Sequence, residues 1–312
     1  MRYITAQPDG LSFYWQLLVQ VENFRRVGID LRDVHILIGI TGAPSRQMLS
    51  LSETSGAQVF FYSHSGDYRY LPSIQFHLLA EHYKALPELQ HEYVFLLDSD
   101  VIFSRLPDYG SFTWDGTWYV SQTWVHSPES CYLNSLYLRR HSETAFREMA
   151  EVVGLAPARI IENDPACGGA QYVLTGVDEN FWRKVEMDSK ALYVWYRQRE
   201  AEYKVSNQSC DVQIWCAGMW AILWNAWLFS RRTVVHPELA FAWATYRMSD
   251  WQTYPLLHMA GVFPALQETE PGPHFDKTAY RDRVPFGDDF GWINPESITN
   301  QYVSLFKSVQ CS

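Results

Sequence analysis

The sequence predicts an α/β fold: a mostly parallel central sheet flanked by helices. Three observations lead there. Short apolar runs of strand length recur through the first hundred residues, at Arg2–Thr5, Val34–Gly39, Ala57–Tyr62 and Tyr93–Leu97. Segments with helical patterning fall between them. The last of these runs leads directly into Asp98-Ser99-Asp100. Strands alternating with helices at this spacing imply parallel pairing, with helices covering the faces.

Each element follows from local chemistry. Arg2–Thr5 leads into the turn cluster Gln7-Pro8-Asp9-Gly10. Ser12 is placed to cap a helix from Phe13 to Val27 that stops at Gly28. After the strands at Val34–Gly39 and Ala57–Tyr62, the polar loop Ser63–Tyr70 meets Leu71-Pro72, and a helix runs from Ser73 to about Leu86. The later chain is less regular. Ser142–Val153 is amphipathic, Ala170–Leu174 reads as a strand after Gly168-Gly169, and Glu179–Arg199 reads as a helix. An apolar helix near Val212–Phe229, a strand at Thr233–Val235 and a loop-rich C-terminus complete it. No repeat or linker interrupts the chain, so residues 1–312 read as a single domain.

Composition narrows the function classes. With 47% hydrophobic and 19% charged residues, the chain can bury a core, which excludes disorder. Its 25 basic and 35 acidic residues give a net charge of −10, which argues against nucleic acid and anionic membrane surfaces as partners. The 13 Trp, 19 Tyr and 17 Phe offer flat faces for stacking as well as core volume. Five cysteines without a CxxC pair favour neither a disulfide framework nor structural zinc. With no signal-peptide pattern at the N-terminus, they point to a reducing, cytoplasmic setting. Val212–Phe229 carries no charge, but Gln213, Gly218 and Asn225 interrupt it, so it is read as a helix buried all round rather than a membrane span. Trp182, Trp215, Trp220, Trp224 and Trp227 are assigned to the core on the same pattern. Trp243, with Phe241 and Trp251, offers a wall for stacking a sugar. His236 and Glu238 form an H-x-E without the cysteines of a zinc deaminase. HExxH, P-loop, GxGxxG and GxSxG motifs are absent.

The sharpest feature is Tyr93–Phe103, YVFLLDSDVIF. A strand buried on both faces delivers two carboxylates to its carboxyl end, where ligands bind in open α/β sheets. In extended chain, residues i and i+2 point the same way, so Asp98 and Asp100 can face one hard cation. The alternative is a pair of solvated loop aspartates. Carboxylates left beside a buried strand without a counter-charge are costly, which favours the cation.

Strand, helix, strand, then an apolar strand closing on Asp-x-Asp resembles the metal-dependent glycosyltransferases of the GT-A fold. The segments GGAQYVLTGVDENFWRKVEMDSKALY (168–193), QIWCAGMWAILWNAWL (213–228), HPELAFAWAT (236–245) and LLHMAGV (256–262) are similar to large-virus xylosyltransferases and, more distantly, plant peptidyl-serine galactosyltransferases.

The resemblance implies a nucleotide-binding half, residues 1–105, and an acceptor and donor-sugar half, residues 106–312. It implies transfer of a sugar from a nucleotide sugar, with UDP as the nucleotide and xylose or galactose as the sugar, to a hydroxyl on a glycan, glycosylated or peptide acceptor. Mn²⁺ or Mg²⁺ is the implied cofactor, held by Asp98, Asp100 and His258; taken alone, His258 reads better as a core histidine, and the ligand role comes from the resemblance. The donor residues implied are Thr5, Ala6, Gln7, Asp9, Arg69, Asp98, Ser99, Gly168, Gly169, Gln171 and Trp243. Paired glycines let backbone approach a ligand, and a glutamine offers a donor and an acceptor to sugar hydroxyls. Asp211 is placed as the general base or as a helix N-cap. Relatives carry an acid where this chain has Gly218, so the base and the stereochemistry stay open. The rival readings are a non-catalytic carbohydrate-binding protein on the same fold and a metal-dependent nucleotidyltransferase.

Overall fold

The computed structural model describes residues 1–66, 69–123, 131–205, 212–262 and 267–309. In chain order the first elements are β1 (Arg2–Pro8), α1 (Leu11–Val27), β2 (Val34–Ile40), α2 (Arg46–Thr54), β3 (Gln58–Ser63), α3 (Ser73–Ala85), β4 (Val94–Leu96) and β5 (Val101–Phe103). Then come β6 (Trp118–Val120), α4 (Ser135–His141), α5 (Glu143–Val153), α6 (Pro157–Asn163), β7 (Tyr172–Leu174), α7 (Glu179–Val205), α8 (Ala217–Leu228), β8 (Thr233–Val235), β9 (Phe241–Trp243) and β10 (Leu256–His258).

The α/β class and the mostly parallel pairing hold. β1–β2, β2–β3 and β6–β8 are parallel, while β7 runs antiparallel to β4 and β6. Local readings shift where tertiary pairing overrides them. β1 continues through Gln7 and Pro8, because its register with β2 extends to Pro8 opposite Gly39. The turn expected there is therefore strand. α1 starts at Leu11 after Gly10, not after a Ser12 cap; the Ser12 hydroxyl and carbonyl accept from the Gln16 side chain instead. Its end at Gly28 is as expected, with φ +83° in the left-handed region that glycine adopts freely. α2 escaped the sequence reading because it buries only Met48 and Leu51; the Ser45 hydroxyl caps it by accepting from Met48 N–H.

The contacts divide the chain into two compact units. One comprises Met1, His64–Leu96 and Thr113–Pro237. It contains the strand order β4-β7-β6-β8 and helices α3, α5, α7 and α8. α8 is buried nearly all round, with Trp220, Trp224 and Trp227 inside, as the charge-free segment required. Trp182 is also buried, but Trp215 is corrected: it lies in the 3₁₀ turn before α8 and is 60% exposed. Among the described residues, no helix is long and apolar enough to cross a membrane.

The other unit comprises Arg2–Ser63, Leu97–Phe112 and Glu238–Ser312. It contains the parallel set β3-β2-β1 and a three-stranded sheet, β5-β10-β9. The irregular C-terminal segment has a core of its own. Phe275, Tyr280, Tyr302 and Phe306 pack with Trp15 and Val19 of α1, with Ile102 and Leu257 from the small sheet and with Met259 just past β10. Trp15 donates its indole N–H to the Tyr280 carbonyl at 3.0 Å. Rings of this size bury enough apolar surface to hold a segment that has little regular backbone bonding.

Candidate metal centre

Asp98 and Asp100 lie between β4 and β5, and their geometry differs from the extended chain that the i, i+2 argument assumed. Residues 99 and 100 form a turn in which Val101 N–H bonds back to the Asp98 carbonyl at 3.3 Å. The carboxylates converge through the turn and not through strand alternation.

Strand register supplies the third group. β10 runs antiparallel to β5, placing His258 opposite Val101, and Met259 N–H donates to the Asp100 carbonyl at 3.0 Å. On its other side β10 runs parallel to β9, with His258 opposite Trp243. The Trp243 and His258 rings stack with centroids 6.1 Å apart and planes 17° apart, and Phe241 meets the imidazole edge-on at 5.3 Å. These aromatics limit the ring's rotation. His258 Nε2 lies 3.5 Å from Asp100 Oδ1 and 3.7 Å from Asp98 Oδ2.

Among the described residues, Asp98, Asp100 and His258 form the group able to hold a metal ion, with one ligand atom from each lying within 4.8 Å of the others. Two carboxylate oxygens and an imidazole nitrogen suit a hard to borderline divalent cation. The Asp100 side chain is 3% exposed and that of Asp98 is 38% exposed. One ligand is thus fixed in the protein while the other faces the side open to solvent. The donor set fits the cofactor that the resemblance implies.

Electrostatics separate the two acids. Burial opposes charge on Asp100, but the Lys277 ammonium, ion-paired to Oδ2, and the nearby His258 hold its carboxyl well below the ordinary carboxylate range. Asp98 goes the other way, raised by its surroundings and by the Asp100 charge. Burial works against an imidazolium at His258, yet Asp100 and Asp98 together raise its pKa. Lys277 was not foreseen. The only signal was its position between Phe275 and Tyr280, which anchor its turn in the core.

A polar stripe on α1 holds the acidic turn and was also missed. Gln20 donates to the carbonyls of Asp98, at 2.7 Å, and Val101, at 3.1 Å. Asn23 pairs with both backbone groups of Phe103, accepting at 2.7 Å and donating at 2.9 Å. Gln16 accepts from the Ser99 hydroxyl at 3.3 Å. Buried amides at 16, 20 and 23 share one helix face. That spacing, on a face otherwise apolar, was the readable signal.

The remaining site residues are distributed as follows. Thr5 and Ala6 are buried in β1, and the Asp9 carboxylate accepts from Ser45 N–H at 2.7 Å. Gln7 ends the same strand and is nearly buried. Trp251 is partly buried and packs against the aromatic core. Arg69 belongs to the other unit, where it lines a cavity of about 310 Å³ with Tyr70, Lys190, Ala191 and Val194. Gly168, Gly169 and Gln171 also belong there. A Cβ on Gly168 would come within 2.4 Å of the Ser121 carbonyl, and one on Gly169 within 2.7 Å of the Tyr172 hydroxyl. The close approach these glycines permit is to the protein's own atoms. Gln171 is fully buried, and its side-chain oxygen accepts from the Ser121 hydroxyl at 2.8 Å.

Asp211 lies outside the described residues. The absent acid at Gly218 has a steric reason. A Cβ there would meet the Phe76 ring at 2.8 Å, and Gly218 N–H donates to the Tyr70 hydroxyl at 2.8 Å. No side chain fits without moving Phe76.

No protein family matches the chain, and no curated protein matches it. Solved structures of glycosyltransferases resemble it. The apo structure of the bifunctional glycosyltransferase WbbM has a TM-score of 0.45 at 9% identity, over 84% of this chain and 46% of that one. The glycosyltransferase GlyE of Streptococcus pneumoniae has a TM-score of 0.40 at 13% identity, over 99% and 64%. Mouse xyloside xylosyltransferase 1 has a TM-score of 0.32 at 12% identity, over 83% and 96%. The chain thus spans less than two thirds of the first two proteins. At these identities and TM-scores the likeness transfers no residue roles.

Proposed function

We propose that the protein is a divalent-metal-dependent glycosyltransferase that moves a sugar from a nucleoside diphosphate sugar, UDP-linked in the first instance, to an acceptor hydroxyl. The observation that carries this reading is the convergence of Asp98, Asp100 and His258 where β5 and β10 meet. The sequence resemblance to GT-A enzymes supplies the reaction class.

Asp98, Asp100 and His258 would hold a divalent cation, which when bound would supply positive charge to offset that developing on the leaving nucleoside diphosphate. The chain's residues perform the rest. Asp100, buried and held ionised, keeps one ligand fixed, and Asp98 offers its more open carboxylate on the donor side. Trp243 and Phe241 orient the imidazole. Gln20 and Asn23 hold the turn before any ligand arrives, so its geometry needs little reorganisation. Asp211 is the base proposed for the acceptor hydroxyl of an inverting reaction. Mn²⁺ is the first choice of cation. A cytoplasmic setting belongs to the same proposal.

The test is a thermal-shift screen of nucleotide sugars with Mn²⁺, followed by assay of released nucleotide. UDP-sugars should stabilise the protein only with metal, and free UDP should appear when an acceptor is added. Release of pyrophosphate from a nucleoside triphosphate would replace this reading with nucleotidyl transfer. Sugar binding without metal or turnover would replace it with the carbohydrate-binding reading.

A further inference from the structure

Asp100 has two claimants. Its Oδ2 is ion-paired to Lys277, while its Oδ1 faces His258 Nε2 at 3.5 Å. The lysine is not a loose surface chain. It opens the 3₁₀ turn Lys277–Tyr280, whose preceding residue, Asp276, accepts from Thr278 N–H at 2.9 Å and from the Thr278 hydroxyl at 2.7 Å. The turn is pinned at both ends. Phe275 N–H donates to the Thr299 hydroxyl at 3.0 Å, and the Tyr280 carbonyl accepts from Trp15. The Phe275 and Tyr280 rings stack across it, 5.4 Å apart. The core therefore delivers an ammonium group to the most buried carboxylate of the metal group.

Resting on the glycosyltransferase reading, we propose that Lys277 is a resident cation that competes with the divalent metal for Asp100 and thereby makes metal binding depend on the nucleotide. Two cations held by one carboxylate repel each other even when each sits on its own oxygen. A buried carboxylate, in turn, cannot stand without a counter-charge. Lys277 meets that need in the free protein, and its ammonium on Oδ2 repels a divalent cation arriving at Oδ1, the oxygen that faces His258. An incoming diphosphate offers that ammonium new anionic oxygens and draws it off Asp100, so metal and nucleotide each raise the other's affinity by the same factor.

The test compares wild type with Lys277→Met, Lys277→Gln and Lys277→Arg. Mn²⁺ affinity is measured by electron paramagnetic resonance of free Mn²⁺, without and with UDP, and thermal melting is measured in parallel. Wild type should bind Mn²⁺ weakly alone and at least about fivefold more tightly with UDP, the low end of ordinary couplings. Lys277→Met and Lys277→Gln should bind Mn²⁺ alone at least about fivefold more tightly than wild type, with a smaller UDP effect than wild type shows. They should also melt lower without metal and gain more from Mn²⁺. Lys277→Arg should resemble wild type. If wild type binds Mn²⁺ with UDP but neither neutral variant binds Mn²⁺ alone more tightly, the competition is wrong and the metal reading stands. If wild type binds no Mn²⁺ under either condition, both fall.

Discussion

Gln20 donates its side-chain amide to the Asp98 carbonyl at 2.7 Å, and the same nitrogen reaches the Val101 carbonyl at 3.1 Å. One helical side chain thus ties both ends of the acidic turn to α1. The turn has few backbone partners of its own, so its shape depends on this donor.

Gln20→Ala removes that donor, leaving the Asp98 carbonyl with only Val101 N–H and taking the side-chain donor from the Val101 carbonyl. Denaturant unfolding should show a loss of about 1–3 kcal/mol, the usual cost of an unsatisfied buried group. Mn²⁺ affinity should fall with it. A variant as stable as wild type would mean that the turn holds itself.

Gly218 is confined by Phe76. Gly218→Ala should destabilise by about 1–3 kcal/mol, as overpacking does. Combining it with Phe76→Leu should recover part of that loss, giving a non-additive double-mutant cycle. Additive losses would place the strain elsewhere. Gly218→Asp should disrupt folding more than Gly218→Ala and restore no activity.

Glu186 of α7 lies 2.8 Å from Lys190 Nζ and 3.5 Å from His77 Nδ1 of α3. Burial alone would raise its pKa, but His77 and Lys190 bring it below the ordinary glutamate value of 4.5. The unfolded chain therefore binds the proton more readily. Stability from this group is present above the unfolded value and is lost as pH falls through the folded one. Glu186→Gln should flatten the decline in melting temperature as pH falls from about 6 to about 3. An unchanged slope would assign acid sensitivity to other carboxylates.

The sequence made the strands legible where apolar runs were long and bounded, as at β2 and β3. It also showed the acidic pair, because Asp-x-Asp after a buried strand is unusual chemistry. Lys277 and the Gln16, Gln20 and Asn23 stripe were harder to read. Their partners lie 78 or more residues away in the chain, and neither periodicity nor composition encodes such pairings. The C-terminal segment looked like loop because its order comes from aromatic packing and not from backbone periodicity. Trp215 was misread for the converse reason: its neighbours are apolar, but the 3₁₀ turn points it outward.

The central claim is that one divalent cation binds at Asp98, Asp100 and His258. Pulsed electron paramagnetic resonance of the Mn²⁺-loaded protein with UDP tests it most directly. The account predicts one Mn²⁺ per chain with a ¹⁴N coupling from a histidine ligand, lost in His258→Gln, and Mn²⁺ binding itself lost in Asp100→Asn. Mn²⁺ bound without nitrogen coupling, or a coupling that survives His258→Gln, would contradict it.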